Sequence, residues 1–265
     1  MSSRFLLIAA LFAAPWSAVL GQENGRSSRL KILSYNIHHA EGVDRKLDVE
    51  RIAALIRGCE ADLVAVQEVD RGVERSQKID EPRELARLTK LEHFVFGKTI
   101  DHQGGDYGNL VLSRFPIVSS KVHKFPNSAA AEQRGAVEAE IAPPGAPAFR
   151  LFGTHLDFGR KDASEADRQG AIRLVNERVE ATGQPAILAG DFNCVAGSRT
   201  IETVLESWTQ SNSSDAFTTP VDKPTRQIDF VFLRPKGRWK VIDVKVLDEA
   251  VASDHRAILA TVELN

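Results

Sequence analysis

Apolar residues fall along this chain in short runs, and most runs end abruptly in a polar residue. Residues 30–37, 63–66, 94–96, 110–113, 118–124, 136–141 and 149–155 have the β-branched and aromatic density of strands, with turn residues between them. Residues 186–189, 228–233, 241–247 and 257–264 read the same way. Helical periodicity appears in four places. Asp48 caps a helix with Ile52, Leu55 and Ile56 on its inner face and Gly58 as its stop. Pro82 suits a first helical turn, with Leu85 and Leu88 facing inward. Ser164 and Asp167 have capping-box spacing ahead of Ile172, Val175 and Val179, and Gly183 ends that helix. Ser198 caps a fourth helix that turns Ile201, Val204, Leu205 and Trp208 inward. Residues 143–147, rich in Pro and Gly, predict a surface hairpin loop. No linker or repeat divides the chain after residue 30. Many strands with few helices predict a layered α/β (α+β) sandwich, with the topology left open by pattern alone.

Composition narrows this only slightly. The chain has 265 residues, of which 43% are hydrophobic and 26% charged, with a net charge of −2. That suits a globular core and carries none of the strong positive charge that points to nucleic acid. Residues 1–21 read as a signal peptide: Arg4 precedes a mostly apolar stretch, and small residues lead to a cleavage point at Gly21 and Gln22. The apolar run is short for a membrane span of roughly 20 residues, so cleavage is favoured over a retained anchor. The expectation is a secreted or periplasmic protein, a monomer, with no stable membrane span after cleavage. Residues 22–29 are polar and predict a flexible lead-in to one domain spanning 30–265. The two cysteines, Cys59 and Cys194, flank different predicted strands and are expected to be unpaired, buried thiols.

The polar ends of the strands carry the chemistry. Asn36 and Glu68 end two of them, and Asp191 and Asn193 follow a third, two residues apart and hence on one side of extended chain. His155 ends an apolar run that would not ordinarily finish in imidazole, and Asp157 turns toward the same side. Asp229 begins a strand, while Asp254 and His255 precede the last. Each has a plain alternative: a surface Glu, an Asx turn, a structural His. If four or five such ends from one sheet converge, carboxylates, an amide and imidazoles meet in one place. That grouping suits attack on a phosphoester assisted by a hard divalent ion. Asp229 is assigned to orient His255, since a buried carboxylate fixes the imidazole tautomer and raises its basicity. Asp254 then remains as a carboxylate on the metal side.

Taken in order, YN (35–36), QE (67–68), GNLVLSRFPI (108–117), GTHLD (153–157), GDFN (190–193), QIDFVF (227–232) and SDH (253–255) resemble the endonuclease/exonuclease/phosphatase superfamily of metal-dependent phosphoesterases. The resemblance covers nearly all of the chain after the signal peptide. It implies a four-layered sandwich of two packed mixed β-sheets flanked by helices, and a requirement for Mg²⁺ or Mn²⁺. It implies Glu68 as the principal metal ligand with Asn36 nearby and Asp254 beside the ion. It implies Asp191 as the water-activating base, with Asn193 orienting. His155 would stabilise the pentavalent state, and His255, backed by Asp229, would contact phosphate. Arg134 stands where relatives direct an arginine at the site, and Arg75 and Asn109 are further substrate-binding candidates. One departure is His38, followed by His39, where apurinic-site endonucleases carry an acidic residue. That lowers the expectation of abasic-site specificity, and the pair could bind phosphate, bind a softer metal, or serve only as loop.

The function expected is an exported phosphodiesterase or phosphatase acting by in-line attack of water. A nuclease on DNA or RNA is the alternative, with nucleic acid then a partner. A lipid phosphodiesterase lacks an exposed apolar hairpin here, and an inactive binding module should have lost one of the core polar residues.

Overall fold

A computed structural model describes residues 29–128, 130–213 and 215–265. The predicted signal peptide, and all of the predicted lead-in except Arg29, lie outside the described residues. Arg29 itself opens the first strand. Among the described residues, no helix is long and apolar enough to cross a membrane.

Two six-stranded sheets form the centre. The first runs β11 (Trp239–Val246), β12 (Ile258–Leu264), β1 (Arg29–Asn36), β2 (Leu63–Arg71), β4 (Gly105–Ser113) and β3 (His93–His102). The second runs β5 (Ile117–Lys124), β6 (Gly135–Ile141), β7 (Phe149–His155), β8 (Ala186–Asp191), β10 (Asp229–Arg234) and β9 (Thr209–Gln210). The β1–β2 and β7–β8 pairs are parallel and the remaining pairs antiparallel, so both sheets are mixed.

Three apolar clusters define four layers. Ile32, Leu63, Ala65 and Val111 of the first sheet meet Val137, Leu151, Ile187, Ala189 and Val231 of the second. Leu33, Val64 and Val66 point the other way, against Ile52 and Ile56 of α1 (Val49–Gly58) and Leu85 of α2 (Glu81–Thr89). Phe152, Leu188, Phe230 and Phe232 cover α3 (Asp162–Thr182) and α4 (Arg199–Ser207) through Val175, Val179, Ile201 and Val204. This is the four-layered sandwich expected.

Side chains alternate faces along a strand. Leu30 and Ile32 face the partner sheet, and Asn36 has the same parity. So do His155 after Leu151, Asp191 after Ile187 and Ala189, and Asp229 before Val231. At one rim the inward positions therefore change from apolar to polar on several strands together. The convergence expected from one sheet draws on both: Asn36 and Glu68 come from the first, and His155, Asp191 and Asp229 from the second.

Other departures have local causes. The strand expected at 94–96 is ten residues long, because Lys98 and Asp101 pair with β4 neighbours or each other on an edge strand where charge is tolerated. Ser164 does not cap α3, which starts at Asp162 after Lys161 and buries Ser164 in its first turn. Asp162 and Glu165 there oppose the positive end of the helix dipole. Asp48 and Ser198 do cap their helices, accepting from the Arg51 and Ile201 amides. β9 and a 3₁₀ turn at His38–Ala40 were not expected. Cys59 and Cys194 are free, as expected, but only Cys194 is buried; Cys59, just past the end of α1, is half-buried.

Gly190 is fixed by space. A Cβ there would strike the carbonyl oxygen of Thr154 on the adjacent β7. Gly190→Ala should lower unfolding free energy by about 1–3 kcal/mol, the usual cost of overpacking a closed interior. A denaturant titration with an unchanged midpoint would show instead that β7 and β8 part freely.

Candidate active site

The strand register brings the central groups together. His155 lies directly opposite Asp191 across the parallel β7–β8 pair, and Asp229 lies opposite Asp191 across the antiparallel β8–β10 pair. Asn36 reaches over from the other sheet. Its Nδ2 donates to Glu68 Oε1 at 2.9 Å and to Asp191 Oδ2 at 3.2 Å. Its Oδ1 accepts from the His38 amide at 3.1 Å.

Glu68 owes its direction to a bulge. Between Val66 and Val69 the β2–β4 register slips, and Glu68 adopts a left-handed φ of 59°. A bulge of this kind re-aims one side chain at the cost of one residue's pairing. Asn193 also sits in the left-handed region, with φ 52°. Its amide nitrogen donates to Asp191 Oδ1 at 2.8 Å, closing an Asx turn after β8.

The loop carrying Asp254 and His255 is tied to the first strand by Ser253, whose hydroxyl donates to the Asn36 carbonyl at 2.7 Å. His255 Nδ1 lies 2.9 Å from Asp229 Oδ2, which also accepts from the Thr218 hydroxyl. With Nδ1 donating to that carboxylate, Nε2 turns toward Asp191 Oδ2, 3.8 Å away. Burial alone would depress the His255 pKa, but Asp229, Asp191 and Asp254 outweigh it and raise it to about 10. His255 is therefore an imidazolium at neutral pH. Asp191 is pushed upward, first by burial and then by the Asp229 charge, against the pull of His255 and its hydrogen bonds.

His155 is the opposite case. Complete burial, then Arg134 and His255, hold it well below the usual imidazole range. Arg134 Nη1 is 2.9 Å from His155 Nδ1, and a guanidinium can only donate. The proton of the neutral ring is thus on Nε2, 3.4 Å from Asp191 Oδ2. The Asn193 side-chain amide packs 2.9 Å from the same nitrogen, and its Nδ2 donates to the Leu156 carbonyl.

A cleft of about 350 Å³ opens over these groups. Glu68, Arg75, Arg134, His155, Asp191, Asn193, Asp254 and His255 all line it. Asn36 and Asp229 stand behind it, each 1% exposed. Asn109 is buried and donates to the Gly135 carbonyl at 2.9 Å, joining the two sheets rather than facing the cleft. Asp157 is buried too and accepts from the Gly159 amide. His38 lies beside Glu68 at the foot of the site, outside the cleft lining. Sequence reasoning missed Tyr107, Glu132 and Phe158, which also line it. Phe158 is exposed, and Arg134 lies over its ring at 5.6 Å. Its place directly after GTHLD is the signal that could have found it.

The donor set fits a hard divalent ion. Glu68 and Asp254 face the cleft as carboxylates with Asn36 alongside, and Glu68 has no salt-bridge partner among the described residues. Such oxygen donors are what Mg²⁺ and Mn²⁺ take.

Comparison with known proteins shows the family and the fold. Residues 33–255 match the model of the Endonuclease/Exonuclease/phosphatase family. The chain is 26% identical over 250 residues to "Uncharacterized protein YbhP" of Escherichia coli, covering 88% of this chain and 96% of that protein. It is 25% identical over 186 residues to inositol phosphosphingolipids phospholipase C of Schizosaccharomyces pombe, covering 63% of this chain and 42% of that one. Among solved structures, an endonuclease/exonuclease/phosphatase from Beutenbergia cavernae superposes with a TM-score of 0.73 at 26% identity, covering 89% of this chain and 72% of that one.

Asp229→Asn should bring the His255 imidazole down from about 10 toward or below its ordinary 6.5, read by NMR titration of the ring protons. The sign for stability follows. A histidine raised in the folded state stabilises fully below pH 6.5 and loses that contribution as pH climbs through about 10. The metal-free wild type should therefore lose stability across that window, and the variant should lose less. An unshifted His255 titration would remove Asp229 as the cause.

Proposed function

The chain belongs to the endonuclease/exonuclease/phosphatase family, and on that premise we propose that it is an exported, divalent-metal-dependent hydrolase that cleaves a compact phosphoester by in-line attack of water. The observation that carries this reading is Asp191. It is buried and raised in pKa, and it stands between His155, His255, Asn36 and Asn193 at the floor of the cleft.

A general base works best with a pKa near the operating pH. Burial and the Asp229 charge move Asp191 in that direction. Asp191 takes the proton from water as oxygen attacks phosphorus. Asn193 sets the position of that water or of a phosphoryl oxygen. His255, charged and backed by Asp229, meets a phosphoryl oxygen. The His155 Nε2 proton and Arg134 meet charge that grows as the pentavalent state forms. Glu68, with Asn36 and Asp254, is the set that would hold Mg²⁺ or Mn²⁺, which supplies positive charge against the phosphoryl group. Arg75, held by Asp70 at 2.8 and 2.9 Å, borders the substrate space.

Size and charge favour a small substrate over a polymer. The cleft is about 350 Å³, and its two arginines are already paired, Arg75 with Asp70 and Arg134 with Glu132. A nucleic-acid groove needs free cations that track a backbone. Export rests on residues 1–21.

Asp191→Asn should cut turnover by roughly 10²–10⁴-fold while leaving the thermal melt in place. The assay is release of nitrophenol from p-nitrophenyl and bis-p-nitrophenyl phosphate with Mg²⁺ or Mn²⁺, alongside DNA, RNA, sphingomyelin and inositol phosphates. Near-normal turnover in the variant would exclude Asp191 as the base. Undiminished activity in excess EDTA would exclude the metal requirement.

A further inference from the structure

His38 and His39 belong to none of these roles, and their backbone is unusual. His38, His39 and Ala40 have φ values of 47°, 44° and 56° in succession, a left-handed turn built without glycine. In extended chain, adjacent side chains point to opposite sides. Here the turn puts both imidazoles together, with ring centroids 4.4 Å apart and planes at 60°.

Glu68 completes the group. His38, His39 and Glu68 each present a ligand atom, and the three atoms lie within 4.8 Å of one another. The His38 ring is already oriented: Nδ1 sits 3.0 Å from the Glu41 carbonyl and donates to it, leaving the Nε2 lone pair free. A backbone carbonyl on the far nitrogen is the usual way a metal-binding histidine is held. His39 supplies an independent sign. Its side chain is only 9% exposed, and its Nδ1 is buried with no hydrogen-bond partner. Buried polar atoms are rarely left so. The titratable groups facing His39 are Arg75, His38, Asp70 and Glu41, and Arg75 is neutralised by its two bonds to Asp70. The Glu41 carboxylate stands 3.9 Å from His39 Nε2.

We propose that His38, His39 and Glu68 form a second divalent-metal site, selective for a first-row transition ion such as Mn²⁺, Co²⁺ or Zn²⁺ over Mg²⁺. Two imidazoles and one carboxylate suit those ions, whereas Mg²⁺ prefers an all-oxygen shell. The site deepens the reading above, because Glu68 is shared with the oxygen-rich set of Asn36 and Asp254. His38 binds through Nε2 and His39 through a ring nitrogen, so the left-handed turn serves to aim both.

The test is titration of the purified, metal-free protein with Co²⁺, followed by visible absorption, calorimetry and pulsed EPR of the Mn²⁺ form. Wild type should show imidazole nitrogen coupled to the ion. His38→Gln and His39→Gln should each weaken Co²⁺ binding about tenfold or more and reduce that coupling. His155→Gln and Asp254→Asn should leave the coupling in place. Unchanged Co²⁺ stoichiometry and coupling in the H38Q/H39Q double variant would overturn the proposal, as would loss of the coupling in H155Q. Absence of coupling in the wild type overturns it without any variant, so a misfolded mutant cannot shelter it. Failure of all Mg²⁺-supported hydrolysis would sink the phosphoesterase reading and leave the Co²⁺ result standing, so the two fail separately.

Discussion

The period of two along a β-strand is the constraint on which this molecule rests. Between the sheets, inward positions are apolar for most of each strand's length: Leu30 and Ile32, Leu63 and Ala65, Leu151, Ile187 and Ala189. Burying these from water holds the sheets face to face. The same parity, continued a few residues further, delivers Asn36, His155, Asp191 and Asp229 to the rim. The site is thus the polar end of the core, and anything that shifted one strand by a residue would turn its functional group toward a helix layer.

That geometry creates an electrostatic problem that the chain solves locally. Asp191 and Asp229 are cross-strand neighbours, both 1% exposed. Two buried carboxylates cannot both ionise without a countercharge. His255 supplies it, touching Asp229 at 2.9 Å and approaching Asp191 at 3.8 Å. The strain spreads unevenly: His255 is driven firmly to its charged form, and Asp191 is left easy to protonate. A few ångströms away, His155 is completely buried with Arg134 against its Nδ1, and it stays neutral although Asp191 Oδ2 is 3.4 Å from its Nε2. Two histidines in one cleft thereby hold opposite charge states.

Much of this was legible in the chain. The layered sandwich, the helix caps at Asp48 and Ser198, the free cysteines and the family resemblance all follow from residue patterns. Several strands are apolar on both faces, so their inward parity is hidden, and with it the fact that the polar ends come from two sheets. The bulge at Glu68 and the left-handed turn at His38 left no trace either, because neither uses glycine. Ser164 looked like a cap because spacing alone cannot separate a cap from a first-turn serine. Tyr107 and Phe158 border the cleft for reasons of three-dimensional proximity. Asn109, inside a conspicuous motif, ties the sheets together through Gly135 instead.

The hydroxyl bond from Ser253 to the Asn36 carbonyl joins residues 217 positions apart in the chain. β12, which begins five residues after Ser253, also fills the slot between β1 and β11. Until β12 docks, the edge of β1 stands open. A polypeptide halted before Ile258 therefore carries an unpaired hydrogen-bonding edge on β1 that invites association with other copies.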